Sequence, residues 1–196
     1  VAESWETSED GLTWTFKLRK NSTWSNGTPV TAHDFEYSWK RTLTPETAAE
    51  YSYIMADIVG SSTKEIQENG VDGVGVKALD DYTLEVKLNR PVAYFAELVS
   101  FQVFFPQNQA FVESCGDAYG SAADKQLYNG PFTLTSWKME DQFTMEKNPN
   151  YWDAANVKLN KINTKVVKDT GAEVSLYEDG QIDRAILSSD YVDKYK

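Results

Sequence analysis

The 196-residue chain contains one histidine and one cysteine. A single thiol, Cys115, excludes an intramolecular disulfide and any multi-cysteine zinc site. A single imidazole, His33, leaves a histidine-based metal centre without a second ligand of its own type. Positive charge is scarce as well: nineteen Lys and Arg stand against thirty Asp and Glu, for a formal net charge of −11. That balance repels phosphate backbones and anionic head groups, so nucleic acid is not an expected partner. The most apolar run, AYFAELVSFQVFF at 93–105, is too short to span a bilayer and is broken by Glu97, Ser100 and Gln102. Catalytic signatures are absent: the chain has no G-x-S-x-G elbow, no HExxH, no Walker loop and no CxxC. GVDGVGV (70–76) is glycine-rich but lacks the G-x-G-x-x-G order, and it reads as a turn before a hairpin. No cofactor is expected.

Aromatic residues are plentiful, with six Trp, eleven Tyr and nine Phe in a chain that is 41% hydrophobic. This length suits one ordinary domain or two small ones, burying roughly 70% of the surface the unfolded chain exposes. The alternation in TWTFKLRK (13–20) puts Trp14, Phe16 and Leu18 on one face and predicts a half-buried strand. Asn26-Gly27 then supplies turn chemistry. Asn21-Ser22-Thr23 and Asn26-Gly27-Thr28 match the glycosylation sequon but read as plain turns. Thr31 predicts a helix start, with Asp34 as a capping-box residue, Val30 and Phe35 as a hydrophobic staple, and Phe35, Trp39 and Leu43 as the buried stripe. Thr44-Pro45 ends that helix.

A second helical stretch is expected from Glu46 to Ile58, and a hairpin over 74–88 turning at Asp80-Asp81. Pro91 opens a short helix with Tyr94, Phe95, Leu98 and Val99 on one face. FQVFFP (101–106) reads as an extended crossover between subdomains. Two strands, Phe132–Lys138 and Gln142–Lys147, are predicted to meet at a turn around Glu140-Asp141. NKINTKVV (160–167) reads as a strand, and Ala172–Glu178 as a helix stopped at Asp179-Gly180. QIDRAIL (181–187) reads as the start of a further strand. The interleaving defines a mixed α/β (α+β) class. The chain opens on Val1 and reads by residue 5 like the interior of a fold, so an excised fragment is expected.

His33 and Asp34 adjoin, but neighbours on a helix point about 100° apart and cannot pair. Asp34 has a capping role, and His33 is expected to face solvent. Tyr51, Tyr53 and the Phe101–Phe105 group fit the core periodicity least well and suggest an aromatic-lined cleft for an organic ligand.

The strings AESWETSEDGLTWTFKLRKNSTWSNGTPVTAHDFEYSW, GVKALDDYTLEVKLNRPVAYF, NGPFTLTSWKMEDQFTMEKNPNYWD and LYEDGQIDRA closely resemble the oligopeptide-binding proteins of bacterial ABC importers, extracellular solute-binding proteins of family 5, in their Gram-positive form. The resemblance implies a two-lobed, cluster C-like, type II periplasmic-binding-protein fold that closes around an extended peptide, present here in part. It would make 1–104 the smaller extra domain and 105–196 a partial ligand-binding lobe, without the C-terminal lobe and the N-terminal signal. It implies no catalysis, an oligopeptide ligand, permease subunits as partners, a monomer, and a place on the outer face of the membrane, lipid-anchored in the full-length protein or periplasmic in a Gram-negative cell. Tyr51, in TAAEYSY, matches a tyrosine that lines the peptide site, and Phe101 falls where relatives place a side-chain-pocket residue. The lone histidine argues against nickel or haem, which some relatives carry. The competing reading is a carbohydrate-binding or glycoside-hydrolysing surface module, with aromatics stacking on sugars and carboxylates in acid–base roles.

Overall fold

In the strand Thr13–Leu18 (β2), Trp14, Phe16 and Leu18 are buried, and every second side chain points away from the core. This computed structural model describes residues 1–195. β2 pairs antiparallel with Ala2–Thr7 (β1) on one side and with Thr83–Lys87 (β4) on the other. Val76–Asp80 (β3) completes the sheet, in the order β1-β2-β4-β3. Trp14 faces Val86 and Phe16 faces Leu84, so cross-strand pairs of bulky side chains build one apolar face. The predicted hairpin is the β3–β4 pair.

Helix α1 (Ala32–Leu43) lies against this sheet. Its start is as predicted: the Thr31 N–H donates to Asp34 Oδ2 at 2.8 Å, and Val30 is fully buried. Trp39 and Leu43 are buried and Phe35 packs at the core margin. Each such burial contributes about 2–3 kcal/mol. Phe95, in the single-turn helix α3 (Phe95–Leu98), lies 5.4 Å from Trp14 and 6.3 Å from Phe104 between ring centroids. Trp39 meets Phe104 edge-on at 5.0 Å. The buried cluster they form holds no residue beyond Phe104.

The expected helix over 46–58 is not continuous. Pro45–Thr47 and Ser52–Met55 are two separate 3-10 turns, because Ala48 adopts a left-handed conformation (φ 49°) and interrupts the backbone. Met55 and Ile58 still reach the core. The short helix α2 (Thr63–Asn69) follows, capped by Ser62 with Glu65 as its reciprocal partner. FQVFFP is extended only at its ends, and Gln102–Phe104 closes a 3-10 turn.

Beyond it, α4 (Gln109–Cys115) begins with the Asn108 side chain accepting the Phe111 N–H. A second antiparallel sheet then joins Phe132–Lys138 (β5), Gln142–Lys147 (β6) and Lys161–Lys165 (β7) in that order, with the β5 and β6 bounds as expected. Thr170–Glu178 (α5) stops at Gly180, whose φ is 68°. Residues 181–187 form no strand: they pair with no other strand among the described residues, and the Ile186 N–H donates to Glu173 Oε1 instead. The short helix α6 (Ser189–Val192) comes last.

The two sheets meet through the WSNG turn. The Ser25 N–H donates to the Tyr128 carbonyl at 2.6 Å, and the Tyr128 N–H donates back to Ser25 Oγ at 3.2 Å. Asn150 Nδ2 donates to the Ser25 carbonyl at 2.8 Å, and Thr23 Oγ1 donates to the Asn150 carbonyl at 2.7 Å. The Arg19 guanidinium sits 4.0 Å over the Trp152 ring.

Candidate ligand-binding site

Tyr51 and Phe101 lie on turns outside all seven strands, and the fold brings them together. Their ring centroids are 5.5 Å apart in an edge-on arrangement, and Tyr51 is 43% and Phe101 37% exposed. Tyr53 joins them, its centroid 6.2 Å from Tyr51, and it is the most open of the three at 67% exposed.

Buried neighbours hold these rings in place. On the first segment, Met55 and Ile58 are in the core, and the Tyr51 carbonyl accepts the Ile54 N–H. On the second, Phe104 is buried, and the N–H of Phe104 donates to the Phe101 carbonyl at 3.0 Å. The Phe101–Phe105 group therefore divides: Phe104 belongs to the core, while Phe101 and Phe105 face outward. A fork from Arg90 to Asp57, with Nε–Oδ1 2.7 Å and Nη2–Oδ2 2.9 Å, ties the Tyr53 side to the head of the Phe101 side. Tyr53 carried a sequence signal, its poor fit to any buried periodicity. Its contact with Tyr51 did not, because spacing along a chain does not specify ring packing across a turn.

A ring trio of this kind offers stacking and apolar contact, but no strand edge. It presents side chains, and no main-chain edge to which an extended strand could pair.

Concavities lie elsewhere among the described residues. An apolar cavity of roughly 490 Å³ lies between the first sheet and the loops that flank the second, lined by Phe16, Trp39, Phe104, Pro131 and Trp152 among others. A polar cleft along α1 is lined by Glu36, Lys40 and Arg41, with His33 at its edge. His33 is exposed, as expected, and its Nε2 stands 3.3 Å from Asp81 Oδ1, not from Asp34. Asp34 is turned inward: its carboxylate accepts the Trp24 Nε1–H at 3.2 Å as well as the Thr31 N–H. Burial pushes the Asp34 carboxyl up, against the downward pull of those hydrogen bonds. Among the described residues no group of His, Cys, Asp and Glu is placed to hold a metal ion.

The described residues thus combine two antiparallel sheets, a helix packed on the first, and an exposed ring-lined surface. The chain matches the model for bacterial extracellular solute-binding proteins, family 5 middle, over residues 1–196, and it belongs to that family. It is 40% identical over 185 residues to the oligopeptide-binding protein OppA of Bacillus subtilis, an alignment covering 94% of this chain and 34% of that protein. The substrate-binding domain of an oligopeptide ABC transporter from Bacillus anthracis matches with a TM-score of 0.93 and 49% identity, over 99% of this chain and 38% of the other. Listeria monocytogenes OppA bound to peptide matches with a TM-score of 0.91 and 43% identity, over 98% and 38%. The chain thus spans about a third of the length of the curated relatives it matches. The fold is the expected one, in part. The carbohydrate reading finds no support in these relatives.

Proposed function

We propose that the protein containing this chain captures oligopeptides outside the cell and delivers them to the permease subunits of an ABC importer, without catalysing a reaction. The observation that carries this reading is the exposed Tyr51–Phe101 pair, held on rigid turns in a chain 43% identical to a peptide-bound relative. In this reading Tyr51 and Phe101 touch ligand side chains, and the backbone pairing comes from parts of the protein outside this chain. Ligand binding shifts an open–closed equilibrium, and the closed form is what the permease recognises. Residues 1–104 act as the smaller extra domain and 105–196 as part of a ligand-binding lobe. The confinement of the buried cluster to residues up to Phe104 supports that division. The protein works as a monomer, lipid-anchored at the outer face of the membrane.

Native mass spectrometry of the full-length protein, followed by identification of what it releases on denaturation, tests the reading. Co-purifying peptides of mixed sequence are the expected result. Bound glycans, or glycan hydrolysis with no peptide recovered, would overturn it.

A further inference from the structure

Three asparagines in the chain are followed by glycine: Asn26-Gly27, Asn69-Gly70 and Asn129-Gly130. Such a pair can react with itself, because glycine has no Cβ to keep its nitrogen away from the asparagine side chain. The fold treats the three pairs differently. The Gly27 N–H donates to the Trp24 carbonyl at 2.8 Å, and Asn26 Oδ1 accepts from the Thr28 N–H at 3.1 Å and from Thr28 Oγ1 at 2.7 Å. The Gly70 N–H donates to the Ile66 carbonyl at 2.8 Å and closes the end of α2. At the third pair, neither the Asn129 carboxamide nor the Gly130 N–H forms a hydrogen bond among the described residues. Both residues are half-buried in the wall of the apolar cavity, and the Asn129 carboxamide is not sealed from solvent.

From this we infer that Asn129 is a site of spontaneous covalent modification, deamidating through a succinimide while the fold protects Asn26 and Asn69. The reaction is intramolecular, so proximity and orientation supply its rate. The Gly130 nitrogen gives its proton to hydroxide and attacks Asn129 Cγ. The new C–N bond forms as the bond from Cγ to the amide nitrogen breaks, and ammonia leaves with a proton from water. Water then opens the five-membered ring at either carbonyl, giving aspartate or isoaspartate. One water is consumed and one ammonia released, and nothing is oxidised or reduced. Where the attacking N–H is already hydrogen-bonded, that bond must break first, which slows the step about two- to tenfold. Gly130 carries no such bond.

The position gives the reaction a consequence. Asn129 lies between Tyr128, whose N–H donates to Ser25 Oγ, and Gly130, whose carbonyl accepts from Asn148 Nδ2 at 2.9 Å. Isoaspartate adds one carbon to the main chain between those two attachments, and either product adds a negative charge. The inference is independent of which ligand the protein carries.

The test ages the full-length protein at body temperature and mildly alkaline pH. Trypsin then places the three pairs in separate peptides, and mass spectrometry counts aspartate and isoaspartate in each. In the folded protein Asn129 should convert at least about threefold faster than Asn26 or Asn69, with isoaspartate among the products. In urea the three rates should draw together. Gly130→Ala is accommodated, because no atom lies within 4 Å of a Cβ built there and its φ is not left-handed. It should slow Asn129 to the level of the other two or below. A folded-state rate at Asn129 no higher than at the other two, the same margin persisting in urea, a rate unmoved by Gly130→Ala, or aspartate without isoaspartate would overturn the inference.

Discussion

The indole N–H of Trp39 donates to the Phe104 carbonyl at 2.8 Å, so a residue in the middle of α1 holds the turn that presents Phe101. Ser38 donates to the next carbonyl, that of Phe105, at 2.6 Å. Two adjacent buried positions on one helix thus fix two adjacent peptide units of the aromatic segment. Trp39→Phe removes both ring volume and the donor, leaving the buried Phe104 carbonyl without this partner. It should lower stability by about 2–4 kcal/mol, read as a shift of the urea midpoint.

The Asp34 carboxylate joins α1 to Trp24 and to Thr31, and lies 3.5 Å from Asn108 Nδ2. Asp34→Ala strands the Trp24 and Thr31 donors and should cost about 2–3 kcal/mol, whereas Asp34→Asn keeps an acceptor oxygen and should cost less. The two states also differ in proton affinity. Because burial raises the carboxyl in the folded chain, the native state retains a proton that the unfolded chain has already released. Stability from this group is therefore greatest in acid and falls as pH rises through the folded pKa. The deficit of Asp34→Asn relative to the parent should shrink over that rise when urea melts are compared across pH.

Glu36 has the opposite sign. Its Oε2 accepts the Ala78 N–H at 2.7 Å and its Oε1 accepts from Lys40 Nζ at 2.7 Å, joining α1 to the edge strand β3. Burial alone would raise this carboxyl, but the Lys40 and Ala78 hydrogen bonds, with the Lys40 charge, bring it below its ordinary 4.5. A depressed carboxylate contributes stability that is present above its unfolded pKa and lost as pH falls through the folded one. Thermal unfolding of Glu36→Gln should show a flatter loss below about pH 4.5 than the parent. Parallel acid curves would contradict this assignment.

Gly60 has φ +72°, and a Cβ built there would lie 2.3 Å from the Gly73 carbonyl oxygen. Gly27 has φ +87° with no atom within 4 Å of such a Cβ. Alanine at Gly27 should cost only the conformational strain, about 1–2 kcal/mol, while alanine at Gly60 should cost clearly more because backbone must move. Chemical denaturation of the two variants side by side measures the difference.

Tyr51→Ala, at an exposed position, should leave the melting temperature nearly unchanged. In the full-length protein it should weaken binding of a mixed peptide pool by about tenfold, the scale of a well-placed aromatic contact. Unchanged affinity would remove Tyr51 from the ligand surface.

Much of the fold was legible because its signals are local. The period-two burial of Trp14, Phe16 and Leu18, the Thr31–Asp34 cap and the bounds of β5 and β6 all follow from neighbours in sequence. The errors fell where one backbone angle or a distant partner decides. Ala48 in the left-handed region splits the expected helix over 46–58, a conformation that alanine does not advertise. Residues 181–187 carry strand-like side chains, but a strand exists only where another edge accepts it, and here the Ile186 N–H turns to Glu173. Tyr51 and Phe101 could be named from family resemblance. Tyr53 could be named with them by its poor fit to the core periodicity, but the ring contacts that join the three required the folded turns, because no local rule relates positions so far apart.

Ser25 carries a consequence for how the two sheets stay aligned. Its N–H, its hydroxyl and its carbonyl are all engaged by Tyr128 and Asn150 across the seam. One point of attachment fixes only a distance, whereas three in different directions fix an orientation. Rotation of one sheet against the other cannot then proceed by gradual slippage at this turn. It must release the Ser25 bonds together or carry the turn along as a rigid piece, so the WSNG corner behaves as a keyed joint rather than a pivot.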